Sequence, residues 1–214
     1  MMNYQKILVE NIHSTAIATV DAEGKPVNRI IDMMLEKDGK LYFLTAKGKA
    51  FYDQLMAQAY VSIVGVKNQA SISLHGNIRN IGKQYLDEIF EKNPYMKQIY
   101  PDDRREPLEV FEIYEGEGEY FDISVTPIVR ESFTIGEVKA SNHGYIIHDT
   151  CIGCGKCIDV CPQNCIEEGV PYRIIERHCV HCGACMQVCR RSYTVRDKET
   201  DVELDIDNQY IMSP

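Results

Sequence analysis

Several common signatures are missing from this chain of 214 residues, and their absence narrows its function. No G-x-G-x-x-G run follows a predicted strand, which argues against a Rossmann site for a nicotinamide cofactor. Acidic residues outnumber basic ones, and the net charge of −9 argues against nucleic-acid binding, because phosphates require a basic surface. No Ser/His/Asp triad is readable in the spacing of the residues.

Signals for export or for membrane insertion are also missing. Residues 1–6 precede no apolar run with a small-residue cleavage site, and no stretch approaches the length of a membrane span. We therefore expect a cytoplasmic protein without a membrane partner. In a reducing compartment, the nine cysteines of the chain would not form a disulfide framework.

The chain is rich in cysteine, and eight of its nine cysteines form one spacing pattern that occurs twice. The first run holds Cys151, Cys154, Cys157 and Cys161, and the second, displaced by 28 positions, holds Cys179, Cys182, Cys185 and Cys189. This C-x2-C-x2-C-x3-C spacing is the bacterial run that binds 4Fe–4S clusters. Structural zinc is the alternative, but zinc sites usually combine two short Cys pairs rather than two triplets that are each followed by a fourth Cys.

The spacing also predicts which thiolates share a cluster. Three closely spaced thiolates wrap three iron corners, so the fourth comes from the other run of the duplicated module. The two predicted ligand sets are Cys151, Cys154, Cys157 and Cys189 for one cluster, and Cys179, Cys182, Cys185 and Cys161 for the other. The segment resembles a two-cluster bacterial ferredoxin over roughly residues 145–197, which predicts a ferredoxin-type domain at 136–214.

Three further residues near the runs are not predicted to be cluster ligands. Cys165 lies outside both runs, and we expect it to be a small buried apolar residue. His178 and His181 flank Cys179, where they either hydrogen-bond a cluster sulfur or are solvated loop residues.

Residues 1–135 are long enough to form a second domain with its own core. Alternating apolar positions predict several strands, including one from Pro26 to Leu35 and two late ones, Leu108 to Glu115 and Tyr120 to Val125. A helix is predicted from Lys49 to Ala57. Many strands joined by short turns, with few helices, predict a mainly β barrel or sandwich of the α+β class.

Residues 26–55, P-V-N-R-I-I-D-M-M-L-E-K-D-G-K-L-Y-F-L-T-A-K-G-K-A-F-Y-D-Q-L, resemble the flavin-binding split-barrel family that includes pyridoxamine 5′-phosphate oxidase. The resemblance covers roughly residues 1–130. It implies a split barrel, FMN as cofactor, and a homodimer with FMN at the interface. It also implies that the backbone of Asn28, Arg29 and Ile30 runs along the isoalloxazine edge.

The loop before the predicted helix suits the phosphate of FMN. Helix N-termini offer unpaired N–H groups and a positive dipole end to anions. The candidate phosphate-binding residues are Arg29 on the neighbouring strand, Thr45 at the end of its own strand, and Ala46, Lys47 and Lys49 before the predicted helix. Gly48 would let the backbone approach the ligand.

Departures from the oxidase limit the substrate prediction. Ser71 stands where the oxidase has a glutamine, the chain has no tryptophan, and the arginine-containing C-terminal segment that holds pyridoxal phosphate is missing. Vitamin B6 synthesis is therefore not predicted. We expect a flavin- and iron–sulfur-dependent oxidoreductase that passes electrons between 4Fe–4S clusters and FMN to reduce a small molecule. The alternative is an electron-transfer or redox-sensing flavoprotein that serves a partner protein and has no substrate of its own.

Overall fold

A computed structural model describes residues 2–101, 104–141 and 143–189, and the backbone of 193–195. The chain divides into two compact units. The first contains Met1–Tyr120 and Ser132–Ala140, and the second contains Phe121–Glu131 and Ser141–Pro214. The sequence predicts a single boundary between residues 135 and 136, whereas these units interleave along the chain.

The first unit is built on one sheet of eight strands. Their order is β2-β1-β5-β6-β7-β4-β3, and β8 also pairs with β7. The bounds are β1 Ser14–Val20, β2 Pro26–Asp32, β3 Leu35–Lys37, β4 Lys40–Ala46, β5 Tyr60–Lys67, β6 Ala70–Gly82, β7 Leu108–Asp122 and β8 Val129–Ile135. Neighbouring strands such as β1 and β2, or β5 and β6, run antiparallel. The mainly β prediction is confirmed.

Four short helices lie around this sheet: α1 Tyr4–Ile7, α2 Ala50–Gln58, α3 Leu86–Lys92 and α4 Met96–Ile99. The first continues as a wider π-helical turn, Leu8–Ile12. Phe43 and Phe111 stack in one apolar cluster with their ring centroids 5.6 Å apart, and both are fully buried. A second cluster forms around Ile89 and Phe90. Among the described residues, none of the helices has the length and apolar character needed to cross a membrane.

The single strand predicted from Pro26 to Leu35 is wrong, because the chain changes partners there. Strand β2 ends at Asp32 and β3 begins at Leu35. Between them, the N–H of Met33 donates to the carbonyl of His13, and the N–H of Met34 donates to the carbonyl of Tyr42. Consecutive N–H groups thus bond to different neighbours, which divides one apolar run into two strands.

The two late strands are also wrong, since they form the single strand β7. Gly116 and Gly118 lie in the middle of β7 and interrupt its alternating pattern of side chains. A Cβ at Gly116 would lie 2.5 Å from the carbonyl oxygen of His75, and one at Gly118 would lie 2.5 Å from that of Ser73. Both contacts are too close for any side chain, so these glycines allow β6 to approach β7 rather than end the strand.

The second unit has little regular structure. It contains β9 Tyr145–Ile147, α5 Lys156–Asp159, β10 Ile166–Glu167, β11 Arg173–Ile174, a 3-10 turn at Glu176–His178, α6 Ala184–Val188 and β12 Tyr193–Val195. Strand β9 pairs with β12 and β10 pairs with β11, both antiparallel. Its core holds seven buried side chains, of which four are cysteines. Thiols therefore occupy the centre that apolar side chains occupy in the first unit.

Candidate functional site

The two cysteine runs fold into matching loops. In the first, the N–H of Gly153 donates to Cys151 Sγ at 3.5 Å, and in the second the N–H of His181 donates to Cys179 Sγ at 3.4 Å. Both donors have a positive φ, 68° for Gly153 and 54° for His181. His181 thus holds a left-handed conformation that a glycine holds at the equivalent position of the first run.

Each loop leads into a one-turn helix at a glycine. Gly155 precedes α5 with φ 79°, and Gly183 precedes α6 with φ 71°. The third thiol of each run lies in its helix, and the fourth thiol follows the helix end. The two helices pack against each other. This packing brings the ends of the two runs together in one small unit.

One cavity gathers the four thiols of the second predicted ligand set. Its walls include Cys161, Cys179, Cys182 and Cys185, and its mouth opens to solvent. Gly183 forms part of the wall, where no side chain takes up space. A cavity lined by three thiols of one run and the fourth thiol of the other fits a 4Fe–4S cluster. The ligation itself stays a prediction.

The first predicted ligand set is less enclosed. Cys157 is buried, Cys151 and Cys189 pack against the same small core, and Cys154 is exposed. Within the described residues, no three His, Cys, Asp or Glu side chains lie close enough to hold a single metal ion. A cubane spreads its ligands over four iron atoms, so its thiolates surround the cluster instead of converging on one atom.

A tyrosine lies beside each thiol triplet. Burial raises the pKa of Tyr172, and the nearby charges of Glu168 and then Cys157 raise it further. Burial also raises the pKa of Tyr145, and the nearby charge of Cys185 raises it further. The Tyr172 hydroxyl donates to the carbonyl of Gly153 at 3.5 Å. These residues are missing from the sequence prediction, although their separation of 27 positions nearly matches the displacement of the runs.

Neither histidine near Cys179 is a solvated loop residue. The Nδ1 of His178 donates to the carbonyl of Ile128 at 2.7 Å, and the Nδ1 of His181 accepts from Arg130 Nη1 at 3.2 Å. Burial lowers the pKa of His181, and the charge of Arg130 lowers it further, which favours the neutral imidazole. Both rings thus bind the segment Phe121–Glu131, and the bond to a cysteine sulfur comes from the His181 backbone.

The candidate flavin residues of β2 lie at an edge of the sheet. Asn28, Arg29 and Ile30 pair with β1, and no second strand covers β2 in the described part of the chain. Ile30 is 68% exposed. The outer backbone groups of this strand are therefore accessible, as the resemblance requires for contact with a flavin ring.

The positively charged guanidinium of Arg29 lies beside the first turns of α2. Its Nη1 donates to Thr19 and its Nη2 donates to Gln54, both at 2.8 Å, and its guanidinium carbon lies 4.3 Å from the ring centroid of Phe51. These partners are uncharged, and burial lowers the pKa of Arg29. Within the described residues, Arg29 has no carboxylate partner. A cation held in this way beside a helix N-terminus suits a phosphate.

The remaining candidates lie at the end of β4, which holds Thr45 and Ala46, and in the loop before α2, which holds Lys47 and Lys49. Thr45 is buried and Ala46 is half-buried, whereas Lys47 and Lys49 are exposed. Lys49 directly precedes α2, and no side chain caps this helix start. Gly48 has φ 84° and open space around it. The exposed start of α2, with Lys49 and Arg29 near it, is the part of the predicted phosphate site that the structure assembles.

Lys47 already has an anionic partner. Its Nζ lies 2.5 Å from a carboxylate oxygen of Glu109, whose side chain is 12% exposed. Tyr52 and Asn80 also donate to Glu109, each at 2.6 Å. Burial raises the pKa of Glu109, but these hydrogen bonds and the charge of Lys47 outweigh it and hold that pKa at about 2. The carboxylate is therefore ionised and balances Lys47.

The family follows from the match that covers this sheet and loop. Residues 4–119 match the family model described as pyridoxamine 5′-phosphate oxidase. The chain belongs to this family. Residues 143–190 match a second model, described as a 4Fe–4S dicluster domain. Both predicted resemblances are confirmed, and this oxidase-family chain joins a domain of a flavin-binding family to a ferredoxin-type domain.

Solved structures resemble the oxidase-family part of the chain. A NimC/NimA family protein from Clostridium acetobutylicum is 24% identical with a TM-score of 0.53, and the match covers 63% of this chain and 93% of that one. This likeness shows a shared split-barrel fold. An FMN-binding protein from Nostoc punctiforme, related to pyridoxamine 5′-phosphate oxidase, is 16% identical over 64% of this chain and 93% of its own, with a TM-score of 0.44. Comparison with curated proteins gives no match.

Proposed function

We propose that the protein is a flavin- and iron–sulfur-dependent oxidoreductase. Two 4Fe–4S clusters, ligated crosswise between the two cysteine runs, exchange electrons with FMN, and the electrons reduce a small molecule. The observation that carries this proposal is the cavity in which Cys161 of the first run joins Cys179, Cys182 and Cys185 of the second. It lies in a chain whose other domain belongs to a flavin-binding family.

The barrel residues have separate tasks in FMN binding. Arg29 and Lys49 supply positive charge, and the start of α2 supplies backbone N–H groups to the phosphate. The edge backbone of Asn28, Arg29 and Ile30 faces the flavin ring. When bound, FMN exchanges one or two electrons and so links one-electron clusters to a two-electron substrate.

A second copy of the chain is the proposed partner that completes the flavin site. Alternate residues of β5 project outward from the sheet, and Tyr60, Val64 and Val66 are 45%, 40% and 66% exposed. An apolar row of this kind on a sheet surface suits burial in a homodimer. Size-exclusion chromatography with light scattering tests this, and a monomer that retains FMN would contradict the shared site.

Composition and kinetics of the anaerobically purified protein test the proposal. We expect about eight iron atoms per chain, the content of two cubanes, together with one FMN. Reducing the clusters should then reduce the flavin at a rate that does not depend on protein concentration. A second-order, concentration-dependent rate would instead support the electron-transfer flavoprotein that serves a partner protein.

Single substitutions distinguish Arg29 and Lys49, the two proposed phosphate-binding cations, from Lys47. Arg29→Ala and Lys49→Ala should each weaken FMN binding by about 1–3 kcal/mol, the usual loss of a charge-assisted hydrogen bond, without changing iron content. Lys47→Ala should cost less, because Glu109 already neutralises Lys47. The control is Lys25→Ala, which removes an exposed lysine paired with Glu23. An equal loss in the control would contradict the assigned site.

A further inference from the structure

The cavity that holds four predicted cluster ligands is lined by a fifth thiol. Cys165 forms part of its wall together with Cys161, Cys179, Cys182 and Cys185. Its side chain is only 3% exposed, so it belongs to the interior of the unit. A cubane needs four thiolates, one for each iron atom. This cavity therefore offers one thiol more than the cluster requires.

Cys165 lies directly against Cys161. The two Sγ atoms are 3.5 Å apart, and the N–H of Cys165 donates to Cys161 Sγ at 3.4 Å. Cys165 also lies in the same buried cluster as Cys179. It thus contacts Cys161 directly and lines the same cavity as the three predicted ligands of the other run.

The backbone fixes this arrangement. The N–H of Asn164 donates to the carbonyl of Cys161, and Asn164 has a left-handed φ of 49°, so the chain turns back on itself after Cys161. The carbonyl of Cys165 accepts from the N–H of Ile175 at 2.7 Å, which ties the end of the turn to the strand pair β10–β11. The fifth thiol is therefore held next to Cys161 by main-chain bonds on both sides.

The other run offers no such thiol. Twenty-eight positions after Cys165, the displacement between the runs, the chain has Tyr193. The nine cysteines consist of the eight in the two runs and Cys165 alone. The set Cys151, Cys154, Cys157 and Cys189 thus lacks a sequence counterpart of the fifth thiol, which makes it an internal reference.

We propose that Cys165 is a reserve ligand of the cluster built on Cys179, and that it binds the iron atom of Cys161 whenever the Cys161 thiolate leaves that iron atom or is removed by substitution. The inference rests on the proposed second cluster. In the exchange, Cys165 releases its S–H proton to solvent and forms the iron–sulfur bond that Cys161 otherwise makes. The released Cys161 sulfur takes up a proton, and no electron is gained or lost. While Cys161 binds the iron atom, Cys165 stays a protonated thiol that is hydrogen-bonded to the Cys161 sulfur.

Four variants of the full chain, purified anaerobically with reductant, test the proposal: Cys161→Ala, Cys165→Ala, the double variant with both changes, and Cys189→Ala. Iron and sulfide content and the electron paramagnetic resonance spectrum of the reduced protein are measured. Wild type and Cys165→Ala should hold about eight iron atoms, and Cys161→Ala should also hold about eight, with a changed spectrum. The double variant and Cys189→Ala should each fall to about four iron atoms.

Two results would overturn the reserve ligand. One is a fall to about four iron atoms in Cys161→Ala alone, and the other is a Cys161→Ala spectrum that Cys165→Ala leaves unchanged in the double variant. Chains that are insoluble are refolded anaerobically with iron and sulfide before the same measurements. A wild-type protein with the spectrum of one cluster would instead refute the two-cluster proposal, so the two failures are distinguishable.

Discussion

Each of the two units of this chain is stabilised by a different kind of core. The first unit buries two clusters of apolar side chains, with Phe43 and Phe111 fully enclosed. Among the described residues, the buried cluster of the second unit holds seven side chains, and four of them are cysteines. A core this small cannot offset the conformational entropy of folding, whereas bound metal contributes its binding free energy directly. The difference predicts that the barrel stabilises itself and that the ferredoxin-type unit depends on the proposed clusters.

Removing iron is the strongest way to test this contrast, and it should have the largest effect. Treating the anaerobic protein with a strong iron chelator should abolish amide protection in residues 145–189, because the buried thiols lose the metal that organises them. Amides of β1, β4 and β5 should keep their protection. Hydrogen–deuterium exchange with mass spectrometry measures both regions in one sample.

The same chelator saturated with iron is the control, and it should leave both units protected. Loss of protection in β1, β4 and β5 after iron removal would break the comparison, because the barrel would then depend on the clusters. Retained amide protection in residues 145–189 after iron removal would also contradict the comparison, because the ferredoxin-type unit would then be stable without iron.

A core substitution in the barrel tests whether the ferredoxin-type unit depends on the stability of the barrel. Phe43→Ala removes a fully buried ring and should lower the free energy of unfolding of the barrel by about 3–5 kcal/mol. Iron content per chain should not change. Denaturant unfolding followed by circular dichroism, with iron analysis of the same samples, measures both effects.

Ile99→Ala is the matched control, since Ile99 is 59% exposed. It should change the unfolding free energy by less than about 0.5 kcal/mol. Loss of iron from the Phe43→Ala protein, but not from the control, would show that the second unit draws stability from the barrel.

The smallest effect should be the pH dependence contributed by Glu109. Its pKa is lowered to about 2 in the folded barrel, so its stabilisation is complete above its ordinary pKa and is lost as pH falls toward 2. Glu109→Gln should therefore cost about 1–2 kcal/mol at neutral pH and progressively less in acid. Urea unfolding at a series of pH values, with Glu10→Gln as an exposed control, measures the difference. A constant difference down to pH 2 would contradict the assignment.

The contrast between the units also explains what the sequence could predict. Cluster ligation imposes fixed spacings on nearby residues, so both ligand sets can be proposed from the cysteine runs alone. The pairing of Lys47 with Glu109 joins residues that are far apart in the chain, and no local pattern reveals it. The same holds for β7, whose continuity through Gly116 depends on the neighbouring backbone of β6. The left-handed His181 was missed because glycine is the residue expected there.

The interleaving of the two units sets an order for biosynthesis. Every residue of the first unit, up to Ala140, emerges from the ribosome before the first cysteine, Cys151, emerges. The barrel can therefore complete its fold during translation without iron, in line with the tendency of N-terminal domains to fold first. The segment Phe121–Glu131 belongs to the second unit although it is translated between two parts of the first. The bonds of Ile128 and Arg130 to His178 and His181 can form only after the two histidines are made, so they join a segment made early to loops made late.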